Sequence, residues 1–155
     1  MSRNLKELME KTLSATEYVM HINEPFKDKF LERMKNYELK EGVVKELKKY
    51  ADRLFVLVFS AEWCKDCVAN IPILALLEEK SGLKVGVFGG LEKGTLNFKE
   101  KDGKPLSLSV AKEFGIERIP HIVIFDIKGR ELGKIIENPS PSKTLEEEIL
   151  DLATG

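Results

Sequence analysis

The sequence predicts an α/β fold, a central mixed sheet flanked by helices and preceded by a helical extension at the amino end. Three observations carry that prediction. The first fifty or so residues place apolar side chains at helical spacing. Residues 54–88 then read as strand, helix, strand, and residues 121–136 as two apolar segments around a Lys128-Gly129 turn. A chain of 155 residues suffices for one such domain with decoration. The division read from these patterns is a helical extension over 1–51 and the main domain over 52–155.

In the extension, Leu5, Leu8, Met9 and Leu13 mark one helix, and Phe26, Phe30 and Met34 a second, with Pro25 in its first turn. Val43, Val44, Leu47, Tyr50 and Ala51 mark a third after a break at Gly42. Leu54-Phe55-Val56-Leu57-Val58-Phe59 is a continuous apolar run, expected of a strand covered on both faces. Residues 64–80 return to helical periodicity through Ile71, Leu74 and Leu77, and Val85-Gly86-Val87-Phe88 closes a βαβ unit at Gly89-Gly90.

Residues 89–106 lack periodicity and form a long loop, which is either a partner-selecting excursion or an ordinary surface segment. A short helix over 106–114 ends at Gly115, a suitable C′ residue. His121-Ile122-Val123-Ile124-Phe125 and Glu131-Leu132-Gly133-Lys134-Ile135-Ile136 are expected to pair as an antiparallel hairpin. After Pro139 and Pro141, Thr144 and Glu147 are spaced as a capping box for a last helix.

Composition narrows the function. A formal charge of -1 gives no general attraction to nucleic acid or membrane. The apolar run at 54–59 is too short to cross a bilayer, and Met1-Ser2-Arg3-Asn4 leads into a charged helical pattern rather than a signal peptide. The default expectation is therefore cytoplasmic. Abundant Lys and Glu with no Gln lean towards a heat-adapted source.

The two cysteines lie in one Cys64-Lys65-Asp66-Cys67 motif, so they look like a reactive or metal-binding pair rather than a structural framework. Cys64 falls where a buried strand gives way to a helix. Free backbone N–H groups and the helix dipole there favour thiolate, the nucleophile of disulfide exchange. Lys65 is expected to help, and Asp66 and Glu62 to oppose. Cys67, one turn on and less accessible, is placed to resolve a mixed disulfide made by Cys64. A structural zinc wants four ligands, and only His21 and His121 are available to assist the two cysteines. No metal or other cofactor is expected.

Ser60-Ala61-Glu62-Trp63-Cys64-Lys65-Asp66-Cys67, with Pro72 five residues later, resembles the active-site segment of the thioredoxin family. Phe114-Gly115-Ile116-Glu117-Arg118-Ile119-Pro120 before an apolar strand resembles that family's cis-proline segment. The resemblance covers residues 52–152 and implies a thioredoxin-like fold with Cys64 attacking and Cys67 resolving. It implies that Trp63 flanks the site as an aromatic surface, half-buried or exposed. It further implies that Pro120 follows a cis bond, leaving the Ile119 backbone to meet an extended substrate, and that Pro72 kinks the helix. The implied partners are disulfide-containing proteins and an electron donor such as a thioredoxin reductase, with a monomer as the simplest state.

The sequence also departs from that family. The buried Asp expected six residues before the first cysteine is Val58 here, and the two residues between the cysteines are Lys-Asp rather than Gly-Pro. Asp66 or Glu62 would substitute as proton acceptor for Cys67, or both are solvated charges. His121 is either a protonated stabiliser of thiolate or a neutral ring pointing to solvent. Two other functions compete with disulfide exchange. One is a non-catalytic module holding a metal or partner through the cysteine pair. The other is an interaction protein working through its helical extension.

Overall fold

The computed structural model describes residues 3–155; Met1 and Ser2, at the start of the expected extension, lie outside the described residues. Four helices come first, α1 (Leu5–Lys11), α2 (Ala15–His21), α3 (Phe26–Asn36) and α4 (Glu41–Lys48), followed by a short 3₁₀ turn. The mixed domain then runs β1 (Leu54–Phe59), α5 (Lys65–Ser81), β2 (Lys84–Phe88), α6 (Leu108–Phe114), β3 (His121–Asp126), β4 (Glu131–Ile136) and α7 (Leu145–Thr154).

The sheet order is β2-β1-β3-β4. Strand β1 is parallel to β2 and antiparallel to β3, which pairs antiparallel with β4. The sheet is therefore mixed. All six residues of β1 are buried, as its unbroken apolar sequence requires. Leu54, Val56 and Val58 face a core shared with α5 and with Tyr18, Val19, Phe30 and Leu47 of the first four helices. Phe55, Leu57 and Phe59 face a second core with Phe88, Phe98, Phe114 and Leu5. The predicted capping box at Thr144 and Glu147 is formed, and Gly115 closes α6 with φ of 67°.

Three local expectations are corrected. Leu13 does not continue α1 but bridges backbone to Val87, because β2 offers it an unpaired edge. A separate helix, α2, starts at Ser14, whose capping box with Glu17 satisfies two N–H groups. Gly42 lies inside α4 rather than breaking the chain before it. The cost of a helical glycine is offset by tertiary packing of Leu47, which is fully buried.

Two carboxylates, half-buried Glu78 and buried Glu146, fasten the early helices to the domain. Glu78 of α5 accepts from the Ala15 and Thr16 N–H groups at 2.9 and 2.8 Å, at the positive end of α2. Glu146 of α7, fully buried, accepts from the Tyr37 hydroxyl at 2.7 Å and the Lys40 N–H at 3.0 Å. Glu146→Ala loses both bonds but also removes a buried charge. A net loss of about 2 kcal/mol in unfolding free energy is expected, read by urea denaturation.

Candidate functional site

Strand β1 delivers the chain to the site, and α5 begins one residue after Cys64. Cys64 is the N-cap of α5, with extended backbone and no side-chain cap bond. Its sulfur therefore stands where the first N–H groups of the helix have no carbonyl partner. Cys64 is half-buried and Cys67 fully buried, both as free thiols.

These positions split the two thiols. The Cys64 pKa is lowered to about 6, first by the neighbouring Cys67 thiol and then by the backbone N–H groups of Cys67 and Asp66. Partial burial and the Asp66 charge oppose that shift. Burial pushes the Cys67 thiol far up, and its hydrogen bond with Cys64 adds to the rise. One sulfur is poised to ionise while the other keeps its proton.

Around the pair, the Cys64 thiol donates to the Ile119 carbonyl oxygen at 3.6 Å. Ile119 is half-buried, Pro120 is buried, and the bond between them is cis. Trp63 is half-buried, with its indole N–H donating to the Leu91 carbonyl at 2.9 Å and Lys93 Nζ 5.2 Å from the ring centroid. Pro72 lies inside α5. Lys65 is exposed.

The remaining expected modulators fall in different places. Asp66 accepts from the Asn138 amide at 3.1 Å, while buried Asn70 ties Asp66 O, Glu137 O and Asn138 together at 2.8–2.9 Å. This network braces the Cys-x-x-Cys turn against the segment after β4. Glu62 is half-buried on the other side, beside a crevice of about 230 Å³ that Tyr18 and His21 also line.

His121 corrects its expectation. It does not point to solvent: it is 3% exposed, its ring sits edge-on to Phe59, and Nε2 has no hydrogen-bond partner. Burial, with Lys134 nearby, lowers its pKa to about 4. It is a neutral core ring near pH 7 and gives no positive charge to the thiolate.

Sequence reasoning missed the polar side of Cys67. Ser60 is fully buried, its hydroxyl favours the Cys67 thiolate, and it lies 3.0 Å from the hydroxyl of buried Tyr18. Ser60 stood in the motif segment. Tyr18, 42 positions away, gave no local signal. Among the described residues no group of three or more His, Cys, Asp or Glu side chains is arranged to hold a metal ion, and no helix is long and apolar enough to cross a membrane.

A βαβ unit, an antiparallel hairpin and a free Cys-x-x-Cys at a helix start define a redox-type α/β domain. A family model described as thioredoxin matches residues 12–150, and the chain belongs to that family. The match takes in most of the early helices as well as the sheet. No curated protein matches. Among solved structures, a protein of unknown function from Pseudomonas aeruginosa shares the fold at TM-score 0.71 and 18% identity, over 98% of this chain and 96% of that one. An HIV epitope-scaffold aligns with TM-score 0.70 at 18% identity, over the same shares. Both likenesses take in the helical extension.

Proposed function

We propose that the protein is a thiol–disulfide oxidoreductase that exchanges protein disulfides, with Cys64 attacking and Cys67 resolving. The observation that carries this reading is the split between the two thiols: Cys64 half-buried with a pKa near 6, Cys67 buried and protonated one helical turn behind. Cys64 thiolate attacks one sulfur of a substrate disulfide, forming a mixed disulfide and releasing the other sulfur as thiolate. Cys67 then loses its proton and attacks Cys64, releasing the second substrate thiolate and leaving a Cys64–Cys67 disulfide. Half-buried Trp63 and Ile119 form the surface for an extended substrate segment, and buried Pro120 supports it from within. Disulfide-containing proteins are the substrates, an external reductant such as a thioredoxin reductase restores the dithiol, and the cytoplasm is the compartment.

Reduction of a model disulfide protein with an external reductant tests the reading. Cys64→Ser is expected to abolish turnover, and Cys67→Ser to accumulate mixed disulfides. Full activity in Cys64→Ser overturns the assignment. Alkylation of Cys64 is expected to rise through pH 6 and level off by pH 8, following its thiolate fraction. A midpoint near the ordinary thiol value of about 8.5 contradicts the site's electrostatics.

A further inference from the structure

Cys67 presents a difficulty that the exchange reading leaves open. It must lose a proton while fully buried, and the position where the family resemblance expects a carboxylate is Val58, also fully buried in the same apolar cluster. Asp66 is engaged with Asn138. The polar groups on the inner side of Cys67 are the Ala61 backbone and the Ser60 hydroxyl.

We propose that Ser60 and Tyr18 form a hydroxyl relay for Cys67. Ser60, buried at the end of β1 ahead of the motif, takes the Cys67 proton, and Tyr18, supplied by the helical extension, holds Ser60 at 3.0 Å and passes the proton towards the outer crevice. The proposal rests on the reading of Cys64 and Cys67 as the exchanging pair.

Several features fix the relay in place. Ser60 is held by its own N–H, which donates to the Phe88 carbonyl at 2.9 Å. The Tyr18 ring meets Phe30 edge-on at 6.2 Å. It also lies against Gly89, where a Cβ would come within 2.3 Å of the ring. Gly89 thus leaves the space that Tyr18 occupies. The buried hydroxyls meet at 3.0 Å, and either can donate. Tyr18 also lines the crevice that Glu62 and His21 line, so the buried hydroxyl pair lies between the Cys67 side of the core and that crevice. Burial and the facing Glu62, Cys64 and Cys67 hold the Tyr18 hydroxyl well above its ordinary pKa, which suits a group that passes protons without ionising.

The step balances. In the mixed disulfide, Cys67 gives its proton to Ser60 Oγ as the Ser60 proton moves to Tyr18 and the Tyr18 proton passes to solvent in the crevice. Each hydroxyl gives one proton and takes one. The electron pair left on Cys67 forms the bond to Cys64, and the Cys64–substrate bond breaks with its pair leaving on the substrate sulfur. Two cysteine sulfurs are oxidised and the substrate disulfide is reduced by the same two electrons. Ser60 touches a reacting sulfur; Tyr18 acts through Ser60 and is a positioning residue.

Ellman's reagent on the reduced full-length protein separates the two steps, because Cys64 attack and Cys67 resolution each release one thionitrobenzoate. Tyr18→Phe and Ser60→Ala are each expected to slow the second release about tenfold relative to the first. They are also expected to move its pH midpoint up by about one unit. The double variant should be no slower than Ser60→Ala alone, because Tyr18 works through Ser60. Ser60→Thr, which keeps a hydroxyl, should restore the second release. An unchanged ratio of releases in both single variants, or effects that multiply in the double, overturns the relay. A single release from the unaltered protein removes the exchange reading and the relay with it.

Discussion

Phe59→Ala is expected to lower the unfolding free energy by about 3–5 kcal/mol, the upper part of the range for core truncations. Phe59 is fully buried at the end of β1. Its ring centroid lies 5.5, 5.2 and 5.4 Å from those of Phe88, Phe98 and Phe114, and 6.0 Å from that of His121. These partners come from β2, the 89–106 loop, α6 and β3, so one side chain ties four segments together. Truncation removes apolar transfer energy and the edge-to-face contacts, and the surrounding rings belong to separate elements that cannot all close on the gap. For a domain with roughly 5–15 kcal/mol in total, that is a large share. Ser60, Ala61 and the motif follow directly in sequence, so the site should loosen as well. Urea titration with an unchanged m-value measures the loss, and Phe59→Leu should cost less than half as much. A change below about 1 kcal/mol in Phe59→Ala would mean the cluster relaxes freely, contrary to its convergent geometry.

What the sequence made legible follows from how local each signal is. Strand β1 has the bounds its apolar run predicted, because burial on both faces leaves no polar position to blur the pattern. The hairpin was legible from Lys128-Gly129, where Gly129 has φ of 80° and follows an Asp126 side chain that accepts from the Lys128 N–H at 2.9 Å. The last helix was legible from Thr144 and Glu147. The same Ser-x-x-Glu logic was present at Ser14 and Glu17, but a helix of seven residues carries too few apolar repeats to stand out.

The rest depends on distant partners. Leu13 leaves helical structure because β2 takes it, and Gly42 stays helical because α4 is packed. At the site, Cys64 and Cys67 were legible because strand, motif and helix are contiguous. The Tyr18–Ser60 contact joins residues 42 apart, and no periodicity reports such a pairing. His121 misled for a related reason. A histidine after proline at a strand start reads as polar and exposed, but its register opposite Phe59 turns it into the aromatic core.

That burial makes acid stability depend on one ring. The folded His121 pKa is about 4, against about 6.5 in an unfolded chain, so the unfolded state binds the extra proton between those values. Stability from the neutral ring is fully present above about pH 6.5 and is lost as pH falls towards 4. The sign follows from linkage: where the unfolded state holds more protons, unfolding free energy rises with pH. The full span is roughly 3 kcal/mol. Protonation would put a charge among Phe59 and its neighbours with an Nε2–H that has nothing to donate to, while Lys134 adds like-charge repulsion. His121→Leu, similar in size and unable to titrate, should flatten the acid limb, so its stability difference between pH 7 and pH 4 is smaller than wild type's by roughly 3 kcal/mol. Carboxylates that titrate over the same range are common to both proteins and cancel in the comparison. Parallel pH profiles for the two would show that the imidazole finds a proton acceptor when charged, and the buried, partnerless ring would not be the acid-sensitive element.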